Sequence, residues 1–544
     1  MNRTTIVSVM RGMCYGFAAL LFAASCANDN VTQDEKQNKD NIPAGATIFT
    51  GTSQPEATTT RTAILNHTKG AGASVNWSST DKIWVKDDAG TWQQSTTTII
   101  PSAANPSFAK FALSGTYTGA SHDILYTNMA VTGTQPQVEI KAEQTQSAPN
   151  NFDHAGESGD CGIATGSKAA NGYDFTLNHK ASYLCFIPRT SNEYVKRSKL
   201  IKVEIMSDDD IAGTYDIAAN GTLTLASGGS KTITVTTGSG FDIDNSADDM
   251  SKNATYAVVA PGTHTFRIRY WLRNTTDNPR GAIEGTVSKI VTLNCTAGSI
   301  NDITANLDPH NYDGDHYYMW DAQQQYWAGY EWNHGGSQPT INAKSPGATT
   351  SNDYPQSNAD PRWYNESYPG IDISNPAINS CKDLPNANEL SWYCMYGEPR
   401  WDADELWATM GHLYKGGMWF KKKSVLQAEY HYDTEKSSVD GTDWRTRGGG
   451  YSWSSSQTLP SAADAGNYFY LPALGYYIYV RQLSALGYYI TFGKLEDVGN
   501  FGIYWSSSGY AHGSGTAYGL LFFRGRVRVH YLNRDNGYRV DRFE

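Results

Sequence analysis

From Thr47 to about residue 308 the chain is a succession of short alternating runs, each broken by Gly, Asn, Asp or Pro. That texture limits the fold more than any single motif. Examples are Lys82-Ile83-Trp84-Val85, Phe108-Ala109-Lys110-Phe111-Ala112-Leu113, Asp123-Ile124-Leu125-Tyr126, Phe175-Thr176-Leu177 and Ala181-Ser182-Tyr183-Leu184-Cys185-Phe186. Alternation puts every second side chain on one face of a strand, and turn signals every ~8–12 residues send the chain back. Many such strands make a sandwich or a barrel. The pattern continues from Ile201-Lys202-Val203-Glu204-Ile205 to Ile303-Thr304-Ala305-Asn306-Leu307. Within it, residues 213–217 and 220–225 predict a hairpin closed at Asn220-Gly221. No helix-period run of useful length precedes residue 384. Only 18% of residues are charged, and Gly, Ser, Thr, Asn, Tyr and Trp abound, which is an extracellular β-protein composition. A net charge of −11 argues against nucleic acid as a partner.

The first 26 residues combine Arg3 and Arg11, an apolar run from Met13 to Ala24, small residues at Ala23 and Ser25, and Cys26. The run is shorter than the ~20 residues a bilayer span needs. This start resembles a bacterial lipoprotein signal, in which Cys26 receives lipid and becomes the mature N-terminus. Ala23 stands where leucine is usual, and the plainer reading is a secretory signal followed by an incidental cysteine. Residues 1–25 are thus expected to be removed, with 26–44 a polar, acidic tether. The expected location is the outer membrane, lipid-anchored and surface-exposed. No second membrane span follows in the sequence. Five cysteines remain downstream: Cys161, Cys185, Cys295, Cys381 and Cys394. Their number and spacing indicate neither a disulfide framework nor a zinc pattern. Cys381 and Cys394 could form a bridge or remain as two buried thiols.

Length alone suggests about three domains after the tether. Several pieces of the first two occur in a telling order. These are Thr60-Arg61-Thr62, Val75-Asn76-Trp77 leading to Asp81-Lys82-Ile83-Trp84-Val85, Asp123-Ile124-Leu125-Tyr126, Leu177-Asn178-His179-Lys180-Ala181, and the Gly213-Thr214-Tyr215 hairpin. Over residues 45–308 this order resembles the fimbrillin-like lipoproteins of Bacteroides-type bacteria. The resemblance implies two transthyretin-like β-sandwiches, residues 45–195 and 196–308. It also implies that Arg61 is a site of proteolytic maturation, and that other fimbrial subunits associate by β-strand addition. His179 reads as a packed or hydrogen-bonded histidine rather than a ligand.

At about residue 309 the composition shifts, and eleven of the fifteen tryptophans lie from Trp320 onward. Asn386 before residues 387–393, with Glu389 three positions on, predicts a capped helix. Asp402 before residues 403–413, with Leu406, Met410 and Leu413 in helical phase and Gly416-Gly417 beyond, predicts a second. Strands follow, among them Ile503-Tyr504-Trp505-Ser506-Ser507-Ser508 and Val527-Arg528-Val529-His530-Tyr531. Three pieces are the residues 384–390 helix start, Leu471-Pro472-Ala473-Leu474-Gly475, and the Tyr504-Trp505-Ser506-Ser507 strand. With the closing Asn536-Gly537-Tyr538-Arg539-Val540, they resemble the Fibrobacter major paralogous domain, a relative of the C-type-lectin-like fold. The resemblance covers residues 315–544. The fold class is therefore mainly β: two transthyretin-like sandwiches followed by an α+β C-type-lectin-like domain at 309–544.

Glu398-Pro399-Arg400 departs from the Glu-Pro-Asn of calcium-dependent lectins, and Trp401-Asp402-Ala403-Asp404 follows at once. Residues 398–404 read as a helix N-terminus with acidic residues favoured by its dipole, and no metal is expected. Two echoes, Ala473-Leu474-Gly475-Tyr476-Tyr477-Ile478 with Ala485-Leu486-Gly487-Tyr488-Tyr489-Ile490 and Trp453-Ser454-Ser455-Ser456 with Trp505-Ser506-Ser507-Ser508, read as paired strands. The sharper reading is an aromatic platform for a sugar ring, with Trp505, Tyr510 and Tyr518 as candidate ligand-binding residues. Along the last long strand, Arg526, Arg528 and His530 share one face, and Val527, Val529 and Tyr531 are expected to face the core. No nucleophile elbow, zinc-protease helix, Walker loop or dinucleotide glycine pattern occurs, so no enzyme activity, catalytic residue or cofactor is expected. The expected function is that of a surface lipoprotein, a fimbrial tip subunit or adhesin whose C-terminal lectin-like domain binds a host or bacterial surface glycan or protein. The alternative is a non-polymerising outer-membrane glycan-binding lipoprotein.

Overall fold

The computed structural model describes residues 42–52, 63–65, 67–103, 106–276, 281–340, 353–363, 376–430, 436–479, 492–513 and 515–543. Cys26, Arg61 and the 485–490 echo lie outside the described residues. The architecture is mainly β, as the alternating runs require.

The first sheet carries, side by side, Trp92–Gln94, Trp84–Lys86, Ser121–Tyr126, Gly162–Ala169, Gly172–Thr176, Thr47–Thr52, Phe108–Leu113 and Thr97–Ile99. Its two ends, Trp92–Gln94 and Thr97–Ile99, are separated in the chain only by Ser95 and Thr96. The sheet must therefore roll round: the Ser95 N–H bonds to the Ile83 carbonyl at 2.8 Å on one edge, and the adjacent Thr96 N–H to the Ala112 carbonyl at 2.9 Å on the other. Alternate residues point inward and fill the roll with rings. Phe49 stacks on Tyr173 at 4.7 Å, Tyr117 meets Phe49 edge-on at 5.1 Å, and Trp77 meets Phe111 at 4.9 Å.

Beyond it, Glu143–Thr145, Thr232–Asp242, Ser198–Ser207, Gly262–Asn274 and Ile283–Cys295 lie in one sheet. It shares a single large core with two three-stranded sheets, Thr255–Val259/Ser182–Arg189/Ile300–Asn306 and Leu223–Ser230/Ala212–Ile217/Gln137–Ile140. The strand Ser182–Arg189 has the hydrogen-bonding partners Thr255–Val259 and Ile300–Asn306, so the sheets change hands well before residue 195. Its residues 182–188 are all buried, as expected of a strand covered on both faces. The Asn-Gly hairpin is present: Ala212–Ile217 runs antiparallel to Leu223–Ser230, and Gly221 adopts φ 84° in the turn. His179 is buried, its Nδ1 2.8 Å from Asp160 Oδ1.

The edge strand Ile283–Cys295 is continued, through a parallel bridge between Thr286 and Glu405, by Arg400–Thr409, His412–Lys421 and Tyr468–Pro472. The helix expected over residues 403–413 is thus an antiparallel hairpin. Met410 (φ 46°) and Gly411 (φ 79°) form its two-residue turn, and Thr409 pairs with His412. The helical phase of Leu406, Met410 and Leu413 misleads because the hairpin is covered on both faces. Leu406, Ala408 and Leu413 join the core of the preceding sandwich, while Trp407 and Tyr414 join the next. Gly416-Gly417 lies inside a strand, where a Cβ on Gly417 would come within 2.4 Å of the Tyr470 hydroxyl.

The other expected helix is present as Ala387–Met395. Asn386 accepts the Glu389 N–H at 3.0 Å, and Glu389 accepts the Asn386 N–H at 2.9 Å. It packs against a six-stranded sheet ordered Tyr317–Tyr318, Tyr538–Arg539, Phe501–Gly509, Thr516–Phe523, Arg526–Asn533 and Ser452–Ser454. The region's first and last strands therefore lie side by side. All five described cysteines, Cys381 and Cys394 included, are buried free thiols.

Candidate functional site

The expected aromatic platform is built differently from the sequence reading. Trp505 is fully buried: its Nε1–H donates to the Tyr318 carbonyl at 2.7 Å and its ring meets Tyr538 at 4.8 Å. Tyr518 is also fully buried, its hydroxyl donating to the Trp444 and Gly449 carbonyls at 3.1 and 3.2 Å. Neither can present a face to a sugar. The physical reason is that the six-stranded sheet is covered on both sides. Tyr518, Leu520 and Phe522 enter one core, while Trp505, Ala517 and Leu532 enter another beneath Trp320 and Leu384.

Tyr510, half-buried at a strand end, stacks on Tyr531 with ring centroids 4.6 Å apart. Tyr531 is 44% exposed and Tyr451 52% exposed. Tyr451 precedes the edge strand Ser452–Ser454, its carbonyl accepting the Val529 N–H at 3.1 Å, so both tyrosines rise from the same face of the sheet. The exposed His530 and His512 flank them, with the His530 ring 4.3 Å from Tyr531. Close packing, and then the Arg528 guanidinium, lower the His530 pKa, so its imidazole is neutral at pH 7. Sequence reasoning assigned Tyr531 to the core with Val527 and Val529. Those valines are buried, but Tyr531 clears the edge of what covers them and Leu532 turns inward on the opposite face. The available signal was Leu532, which breaks the polar face of Arg526, Arg528 and His530.

Residues 398–404 form no helix start. The Glu398 carboxylate is bonded by Lys421 at 2.7 Å, Arg400 at 2.8 Å and the Tyr468 hydroxyl at 3.0 Å. Lys421 above all holds its pKa down to about 2. Asp404 pairs with Lys415 at 3.1 Å, and Asp402 with Arg269 of the preceding sandwich at 3.0 Å. Each carboxylate of the segment is thus engaged by a basic side chain rather than converging with the others.

A different kind of site lies at the start of the described fold. Thr47–Thr52 sits between Gly172–Thr176, to which it is parallel, and Phe108–Leu113, to which it is antiparallel. Phe49 and Gly51 point into the roll, and a Cβ on Gly51 would lie 2.8 Å from the Phe175 ring. This strand is central to its sheet, and in the sequence it is followed by residues 53–62, the segment that contains Arg61.

No family model and no curated protein matches the chain. Solved structures do. A candidate cell adhesion protein of Bacteroides ovatus is 11% identical, matching 48% of this chain and 92% of that one with a TM-score of 0.29. The fimbrial anchor protein of Porphyromonas gingivalis is 10% identical over 46% of this chain and 99% of its own, with a TM-score of 0.20. A fimbrial protein of Bacteroides ovatus is 11% identical over 90% of this chain and 99% of its own, with a TM-score of 0.24.

The two candidate sites differ in chemistry. The Tyr451–Tyr510–Tyr531 face can bind by stacking and tyrosine hydroxyls. Thr47–Thr52 is held by backbone ladders on both sides.

Proposed function

We propose that the chain is a lipid-anchored, surface-exposed fimbrial subunit whose C-terminal region is its adhesive part, and that it is not an enzyme. The observation that carries this reading is the placement of Thr47–Thr52. Cleavage after Arg61 would free this strand from the fold it completes. The vacated slot would expose two strand edges and an apolar channel, and a strand from a neighbouring subunit would refill it by β-strand addition. The side chains around the slot specify the donor: a large apolar residue at the Phe49 position and glycine or a comparably small residue two places on.

The far end of the molecule is arranged otherwise. The edge strand Ile283–Cys295 is followed laterally by Arg400–Thr409, so the C-terminal region occupies the side of the second sandwich. A subunit built this way accepts a strand and presents a binding region, which suits the tip of a filament. N-terminal sequencing of protein recovered from assembled filaments should begin at Thr62. A mature N-terminus at Cys26 in those filaments would reject the cleavage. For the anchor, a fatty-acid probe should label the wild-type protein and not Cys26→Ser, since stable attachment takes more than one acyl chain. Equal labelling of both would reject lipidation.

A second reading, a non-polymerising glycan-binding lipoprotein at the outer membrane, is favoured by the exposed Tyr451–Tyr510–Tyr531 face. Tethered monomers that bind polysaccharide, with no filament containing the chain, would select it over the first.

A further inference from the structure

Three side chains from distant parts of the chain meet where the segment after Leu65 crosses the second sandwich. A ring nitrogen of His67, Sγ of Cys185 on Ser182–Arg189 and a carboxylate oxygen of Asp302 on Ile300–Asn306 all lie within 4.8 Å of one another. We propose that His67, Cys185 and Asp302 form a binding site for a zinc-class divalent metal ion. Imidazole, thiolate and carboxylate together are a zinc ligand set, with bonds of about 2.0–2.3 Å.

The geometry around His67 favours a cation over a plain hydrogen bond. Its Nδ1 lies 3.1 Å from the Tyr256 hydroxyl, which itself donates to Asn150 Oδ1 at 2.5 Å. In the tautomer with the proton on Nδ1, which the tyrosine oxygen can accept, the lone pair of Nε2 is directed at Asp302. There Nε2 and Asp302 Oδ1 stand 3.4 Å apart, which is long for a charge-assisted hydrogen bond of about 2.7–2.9 Å. Two ligands at tetrahedral vertices about 2.0–2.1 Å from one metal ion are separated by about 3.4 Å. Asp302 Oδ1 is buried beside the Cys185 thiol, whereas Oδ2 accepts the Gly70 N–H at 2.7 Å. The carboxylate is thus oriented by one oxygen and offers the other.

The Tyr256 contact is what a metal-binding histidine requires of its second nitrogen, since that partner fixes tautomer and ring plane. The His67 side chain is 2% exposed and that of Asp302 15%, which leaves a narrow solvent side for the fourth vertex, a water. The thiol loses its proton on ligation, and the metal ion takes its place as the positive partner. Such a site would fasten residues 67–70 to the second sandwich, beside the ion pair of Lys69 with Asp248 at 2.5 Å.

The test uses the full-length protein purified in detergent, stripped with a chelator, and titrated with Zn²⁺ alone and separately with Co²⁺. One equivalent of zinc should bind and raise the melting temperature, and cobalt should give a near-ultraviolet thiolate charge-transfer band. His67→Gln and Asp302→Asn should each weaken binding tenfold or more. Cys185→Ser should abolish the band, while Cys161→Ser and Cys295→Ser should keep it. Failure of the stripped wild-type protein to take up one equivalent, or a band that persists in Cys185→Ser, would overturn the site. The wild-type titration decides the matter even if a core variant does not fold.

Discussion

The molecule contains two joints of opposite chemistry. Thr47–Thr52 is held in the first sheet by two backbone ladders and a ring of aromatic side chains, Phe49 among them. The C-terminal region is held to the second sandwich by a single parallel bridge, by Leu406, Ala408 and Leu413 packed into its core, and by buried charge. Arg269 reaches Asp402 at 3.0 Å, and Asp402 also accepts from Trp419 Nε1 at 3.3 Å. Nearby, Asp208 accepts the Ala462 and Ala463 N–H groups at 3.3 and 2.8 Å. A backbone ladder reads only strand direction and the alternation of large and small residues, so any chain with that pattern can occupy it. A buried ion pair reads two particular side chains and tolerates neither alone. If the proposed function holds, the first joint is the exchangeable one and the second the permanent one.

Four experiments can break or sharpen this contrast. The largest effect is expected at the charged joint. Asp402→Ala removes the nearer carboxylate from buried Arg269, leaving Glu204 at 3.9 Å, and should cost ~3 kcal/mol, read as a lower melting temperature. Replacing both partners, as in Arg269→Met with Asp402→Leu, should recover most of that loss. A double variant as unstable as the single one would show that the joint depends on packing rather than on the pair.

At the ladder joint, Phe49→Ala should cost ~3 kcal/mol or a little more, but Phe49→Leu under ~1.5 kcal/mol. If the joint reads only pattern, a synthetic peptide with the sequence of residues 47–52 should rescue a chain lacking that strand. Inability of the peptide to bind would make the strand a fixture rather than an exchangeable part.

The third effect is smaller and depends on pH. Burial, and then the nearby Asp402 carboxylate, push the Glu405 pKa up to about 7, above the ~4.3 of an unfolded glutamate. Between those values the folded state keeps a proton that the unfolded state has released. Glu405 therefore makes stability fall as pH rises from about 4.3 to 7, with no further change above. Between about pH 4.3 and 7 the wild-type melting temperature should fall relative to that of Glu405→Gln, and the difference should stay constant above that window. Parallel curves throughout would mean that the hydrogen bonds from Ser288 (N–H 3.0 Å, hydroxyl 2.6 Å) keep Glu405 ionised.

The smallest effect is expected on the surface. Tyr451→Ala and Tyr531→Ala should leave the melting temperature nearly unchanged and weaken glycan binding by ~0.5–1.5 kcal/mol each, a factor of two to about tenfold. Trp505→Ala should instead cost ~3–5 kcal/mol of stability, because its ring is core. Unchanged binding in well-folded Tyr451 and Tyr531 variants would dismiss this face.

Much of the local structure was legible in the residues. Strand texture, the Asn220-Gly221 hairpin and the Asn386–Glu389 capping box depend on neighbours within a few positions, where backbone preference and side-chain reach decide the outcome. Two of the failures share one reason. Residues 403–413 looked helical, and Trp505 and Tyr518 looked available, because each belongs to a strand covered on both faces. With both faces buried, alternation disappears and periodicity no longer distinguishes helix from strand or inside from outside.

The amino-acid sequence by itself determined that this protein is mainly β and where its well-capped helix begins. Only the tertiary structure decided that Ser182–Arg189 belongs to the second sandwich, that Arg400–Thr409 continues its sheet, and that Tyr531 rather than Trp505 meets solvent. The same holds for the meeting of His67, Cys185 and Asp302, which are separated by more than a hundred positions in sequence. Short-range chemistry selects a strand or a turn. Which strands become neighbours depends on burying apolar surface between segments far apart in the chain, and no local pattern encodes that choice.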